Sequence, residues 1–109
     1  MDSMEQIVFT IILHGGNGKS SSMEAIQAAK KGDFIGARAK LKEAAEALNE
    51  AHKTQTELIQ AEIRGERADT SLLMVHAQDH LMNALTIKDL AAEFVDLYEA
   101  IETKRGVNL

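Results

Sequence analysis

From Phe34 to Leu58 an apolar or small side chain, with one glutamine among them, returns every three or four residues: Phe34, Ala37, Leu41, Ala44, Leu48, Ala51, Gln55 and Leu58. Steps alternating between three and four place these positions on one stripe of an α-helix, the pattern of a heptad seam. A helix from about residue 34 to about residue 64 follows, roughly 45 Å long at a rise of about 1.5 Å per residue. An element of that length buries its seam best against other long helices. The chain permits them. Its 109 residues contain no proline, and Ala, Glu, Lys and Leu, all good helix formers, are abundant.

Two further periods flank this one. The first carries Met4, Ile7, Val8, Ile11 and Ile12, then Met23, Ile26 and Ala29, and closes at Gly32-Asp33. Glycine suits the C-terminal cap of one helix and aspartate the N-cap of the next. Gly65 ends the second helix. The third starts after Asp69-Thr70-Ser71 and runs to about Lys104, with the seam Leu73, His76, His80, Asn83, Ile87, Leu90, Phe94, Leu97 and Ile101. Short connections predict antiparallel neighbours, so residues 1–109 read as one all-α domain, an antiparallel three-helix bundle. A bundle with one seam per helix leaves a stripe of Leu72, Val75 and Met82 uncovered, which marks an interface.

Other classes are excluded in turn. The absence of cysteine rules out disulfides, thiolate metal sites and cysteine nucleophiles. A net charge of −5 argues against nucleic-acid binding, which needs a basic face. No apolar run reaches the roughly 18 residues of a membrane span, and Asp2 and Glu5 do not suit a signal peptide, so a cytoplasmic protein is expected. "IVFTIIL" followed by "HGGNGKSSS" imitates a strand entering a phosphate-binding loop. That motif requires a glycine five residues before Gly18, where Leu13 stands, and the rest of the chain is helical. The glycines Gly15, Gly16 and Gly18 then predict a kink or loosened turn in the first helix, with His14 beside it as a surface or kink residue.

The stretch Leu72–Leu85, "LLMVHAQDHLMNAL", sets His76, Asp79 and His80 within a single turn of an apolar helix. At 100° per residue the two histidines share a face, and Asp79 lies about 60° around from His76, among Leu72, Val75, Met82 and Thr86. A lone histidine on such a face is ordinarily a hydrogen-bonded core residue. Two histidines and an aspartate facing inward on one turn point instead to a site. Two chemistries fit. H-x-x-x-H on a helix can hold a metal through two neutral imidazoles, giving a small metal- or partner-binding protein with His76, Asp79 and His80 as ligands. A neutral imidazole is also a nucleophile towards phosphoryl groups, and a second histidine can hold the resulting phosphate. Spacing alone leaves both open.

"VHAQDHLMNA", together with "EAHKTQTELIQAE" at Glu50–Glu62 and "MEAIQAAKKGDFIGA" at Met23–Ala37, resembles the enzyme IIA component of the lactose/cellobiose class of the bacterial sugar phosphotransferase system. The resemblance runs over nearly the whole chain. It implies a phosphotransferase component with His76 as phosphoacceptor, the tele-phosphohistidine. His76 would take a phosphoryl group from phospho-HPr and pass it to a cysteine of enzyme IIB. That relay serves uptake of a β-linked disaccharide (lactose, cellobiose or chitobiose) and associates the protein only indirectly with the membrane permease. The resemblance also implies a homotrimer, with the Asp79 carboxylates meeting on the threefold axis at one divalent cation, Mg²⁺ or another. His80 would support the phosphate. Gln55, on the seam of the second helix, needs a hydrogen-bond partner, either nearby backbone or the active imidazole. His52 carries no catalytic role by family position. The acidic positions Glu93, Asp96, Glu99 and Glu102 read as a solvated face.

Overall fold

The computed structural model describes residues 3–66 and 70–107. They form three long α-helices and no strand: α1 Met4–Lys30, α2 Phe34–Ile63 and α3 Leu72–Val107. The bundle is a rod of 62 × 21 × 21 Å. Among the described residues no helix is long and apolar enough to cross a membrane.

Each helix begins and ends where local chemistry dictates. Ser3 caps α1 in a reciprocal box: its hydroxyl accepts the Gln6 N–H, and the Gln6 side chain accepts the Ser3 N–H. At the other end Gly32 takes φ +82°, a left-handed conformation that glycine adopts without a Cβ penalty. The N–H groups of Gly32 and Asp33 turn back onto the carbonyls of Ala29 and Ala28, a Schellman closure. Asp33 then accepts the Gly36 N–H and starts α2. Gly65, at φ +90°, repeats the same closure on Glu62 and Ala61. Ser71 opens α3 by accepting the Met74 N–H at 3.0 Å. Of the three residues expected at that start, Asp69 lies outside the described residues.

The seam of α2 is as expected: Ala37, Ala44, Leu48 and Ala51 are buried, with Phe34, Leu41, Gln55 and Leu58 half-buried. Two expectations need correction. No kink interrupts α1, which is one continuous helix through Gly15-Gly16-Asn17-Gly18. Its buried positions are Val8, Ile11, Gly15, Gly18, Ser22, Ala25 and Ala29, a heptad seam in which glycine, serine and alanine take the places of larger residues. A Cβ at Gly18 would overlap the Leu48 side chain, so this glycine lets α1 and α2 approach closely. The buried line of α3 is also not the one predicted. Met74, Ala77, Leu81, Ala84, Ala91 and Val95 face the other helices, while Leu73, His76, Asn83, Leu90, Phe94, Leu97 and Ile101 are exposed.

The physical reason is an inversion of size. Within the protomer the helices meet through small residues, and many of the largest apolar side chains point away. Leu72 is 86% exposed, Leu90 52% and Leu97 53%. Helix α3 is therefore apolar on two faces: small residues serve the protomer, and large ones are left over. The expected exposure of Leu72, Val75 and Met82 is met. Helix α1 packs along both of its neighbours, whereas α2 and α3 meet over less of their length. Far from the histidines, Arg38 bridges α2 to α3 through Asp96 and Glu99, each at 3.1 Å, so the predicted acidic face is only partly free. Lys40 ties α2 to α1 through Glu24 while also pairing with Glu43. Hydrogen bonds that Arg38 donates to Asp96 first, and Lys40 to Glu43 first, raise both groups above their ordinary values. Their contribution is complete below those values and is lost only in strong base.

Candidate functional site

Buried Ala77 fixes the orientation of the third helix, and the rest of the turn follows from 100° per residue. Asp79 falls about 160° from Ala77, on the outward side. His76 and His80 fall on the flank towards α1, about 100° and 60° away. Gln78 falls on the opposite flank, towards α2. Exposure agrees: His76 and Asp79 are exposed, and His80 and Gln78 are half-buried. The expectation that His76, Asp79 and His80 all face inward is thus corrected for the protomer. The inward face of this turn belongs to Met74, Ala77 and Leu81.

The two imidazoles are held as a pair. Their centroids are 6.2 Å apart and their planes are inclined by 14°. Separation by one helical turn accounts for the spacing. His80 also meets helix α1, at two glycines. An ideal Cβ built on Gly15 would lie 3.3 Å from Cδ2 of His80, and one on Gly16 3.5 Å from its Nε2. Of the two rings, His80 is the half-buried one against the glycines of α1, and His76, one turn away along α3, is exposed.

Gln55 serves the other flank. Its amide donates to Oε1 of Gln78 at 2.6 Å, and the Gln78 amide reaches the Met74 sulfur at 3.4 Å. A second contact runs from Gln55 to the Met82 sulfur at 3.7 Å. Gln55 has found neither nearby backbone nor His76. It locks α2 to α3 on the far side of the helix from the histidines. Beyond that bridge lies an open groove of about 520 Å³ lined by Gln55, Leu58, Ile59, Val75, Asp79 and Met82, among others. Asp79 borders it, and its carboxylate accepts only a long contact of 3.5 Å from Asn83. His14 is half-buried on the unbroken α1, and His52 is exposed on α2.

Among the described residues no group of three or more His, Cys, Asp or Glu is arranged to hold a metal ion. His76, Asp79 and His80 therefore do not make a ligand set within one chain. Sequence reasoning named both histidines but missed Gly15 and Gly16 as the neighbours of His80 on α1. The available signal was the spacing Ile11, Gly15, Gly18, Ser22, which continues the heptad and places Gly15 on the buried line.

Residues 6–99 match the family model described as "PTS system, Lactose/Cellobiose specific IIA subunit". The chain is 63% identical over 108 residues to the lichenan-specific phosphotransferase enzyme IIA component of Bacillus subtilis (strain 168), covering 99% of this chain and 98% of that protein. Its fold is similar to the crystal structure of the cellobiose-specific enzyme IIA from Bacillus anthracis, with a TM-score of 0.90, 56% identity and 95% of each chain covered. It is also similar to the IIA(Chitobiose) chain solved in complex with HPr from Escherichia coli. There the TM-score is 0.80 and the identity 35%, over 94% of this chain and 99% of that one.

Proposed function

Since this chain belongs to the lactose/cellobiose-specific IIA family of the phosphotransferase system, we propose that it is a phosphohistidine relay in which His76 accepts a phosphoryl group from phospho-HPr and passes it to a cysteine of enzyme IIB. The observation that carries this reading is the exposure of His76 beside a half-buried, nearly parallel His80 at 6.2 Å. An acceptor must present an imidazole nitrogen to a second protein, and a buried imidazole cannot do so. The lone pair of a neutral His76 nitrogen attacks phosphorus, and the bond to the donor breaks as the new P–N bond forms. His80 steadies the phosphate by a charge-assisted hydrogen bond. In the second step the P–N bond breaks as the enzyme IIB thiolate takes the group. No substrate has to be enclosed, which a 109-residue bundle suits. The sugar carried is a β-linked disaccharide of the class named in the relatives, such as cellobiose or chitobiose.

The working particle is a homotrimer built on the large apolar residues left exposed along α3. A monomer with Leu72, Val75, Met82, Leu90, Phe94 and Leu97 in water carries a patch that association removes. In such an assembly the Asp79 carboxylates converge, and their mutual repulsion requires a cation or shared protons. The fit of a metal rests on Asp79 itself, an exposed carboxylate between Val75 and Met82 with one long amide contact. One chain supplies a single such ligand, so a divalent cation such as Mg²⁺ would be held jointly by three copies and completed by water. When bound it supplies charge compensation. Incubation with phosphoenolpyruvate, enzyme I and HPr tests the relay: an acid-labile, base-stable phosphate on this protein is expected, and its absence refutes the reading.

A further inference from the structure

The geometry points to Gly15 and Gly16 as positioning residues for phosphoryl transfer, forming the side-chain-free seat on α1 that sets the place of His80 and, through it, the pocket for the phosphate on His76. The inference rests on the relay reading of His76.

Three observations converge on it. Gly15 is buried in the middle of an unbroken helix, where glycine is a poor choice for the helix itself. Neither glycine there has a positive φ, so conformational freedom does not account for them. What lies over them is the His80 ring, at the distances already given: 3.3 Å from a Gly15 Cβ to Cδ2, 3.5 Å from a Gly16 Cβ to Nε2. The first is tighter than an ordinary contact, so a methyl there makes the ring yield. The second is ordinary van der Waals contact, so a methyl at Gly16 touches the ring without displacing it. The same ring stacks with His76, one helical turn away along α3. A ring pushed off the seat therefore changes its place relative to His76 and with it the hydrogen bond that it gives to the phosphate. Displacements near 1 Å in such a site can cost about a hundredfold in rate.

The seat predicts a graded and conditional effect. Transfer from phospho-HPr to His76 is expected to fall several-fold in Gly15→Ala and by about ten- to a hundredfold in Gly15→Val. The imidazole resonances of His80 and His76 should shift in the same order, while circular dichroism reports an unchanged helix content. The distinguishing arm is a double-mutant cycle. In an His80→Ala background, Gly15→Ala should slow transfer no further, because the ring through which it acts is gone. An equal loss in both backgrounds overturns the seat, as does unchanged transfer and unchanged His80 resonances in both single variants. Should Gly15→Val fail to fold, the Gly15→Ala cycle decides alone. Failure of the wild-type protein to accept phosphate is a separate result, which removes the relay reading and the seat with it.

Discussion

The imidazoles of His76 and His80 stand one helical turn apart on α3, 6.2 Å between centroids and 14° from parallel, yet only His76 is exposed. Under the proposed relay, the exposed ring would meet the donor, while the half-buried ring lies against α1. Replacement of His76 by Ala is expected to abolish phosphate incorporation. His80→Ala should slow transfer by about tenfold to a thousandfold, the span of losing one charge-assisted hydrogen bond in a reacting site, and leave the phosphate on His76. Single-turnover transfer from phospho-HPr, with peptide mapping of the product, checks both. Phosphate on His80 would contradict the assignment.

The apolar face of α3 predicts a particle of three chains, 35.7 kDa as three times 11.9 kDa, and a formal charge of 3 × −5 = −15. Burying a phenylalanine contributes about 1.5–3 kcal/mol. Phe94→Asp removes that contribution from each chain and adds a desolvation cost, so it should dissociate the trimer while helix content stays high. Sedimentation equilibrium reads the outcome. A stable wild-type monomer at micromolar concentration would sink the trimer.

Asp79 is assigned to assembly, not to transfer. If the three carboxylates converge in the proposed trimer, Asp79→Leu removes those charges together, and apolar replacement of buried ionic groups is often neutral or stabilising by about 1–4 kcal/mol. The variant should remain trimeric, accept phosphate at His76 and resist chelators better than the wild type. Dissociation of the variant would instead make the carboxylate an indispensable interfacial ligand. Loss of phosphorylation with assembly intact would make it a partner of the histidine.

Gly18 offers a test of the close approach between α1 and α2. Gly18→Ala gains helix propensity, about 1 kcal/mol, but its methyl falls on the fully buried Leu48. Overpacking of this kind costs about 1–3 kcal/mol, so urea unfolding should show a net loss. Leu48→Ala opens the space, and the double variant should be more stable than the sum of the single effects. Strict additivity would show that the helices part easily.

How much of this was legible in the sequence depended on side-chain size. The α2 seam from Phe34 to Leu58 was readable because all its positions but Gln55 are apolar or small and most outward ones are polar. In α3 the same rule misled. Leu73, Leu90, Phe94 and Leu97 are larger than Ala77, Ala84 and Ala91, and the larger set looks like the core of a single chain. It is instead the face left over when small residues bring three helices together. The same confusion set His76 and Asp79 facing inward. Taken locally, the glycines of α1 predict a kink, although Gly15 and Gly18 lie in register with Ile11 and Ser22. Their role needs the position of Leu48 and His80, which no local pattern supplies. The partnership of Gln55 with Gln78 was likewise out of reach, since it joins residues on different helices.

Mapping the phosphate after transfer from phospho-HPr tests the central claim most directly, with ³¹P NMR and mass spectrometry on the intact wild-type protein and on His76→Ala. One phosphohistidine per chain, located at His76 and absent from the variant, is the predicted result. Phosphate at His14, His52 or His80, or equal incorporation by His76→Ala, would contradict it.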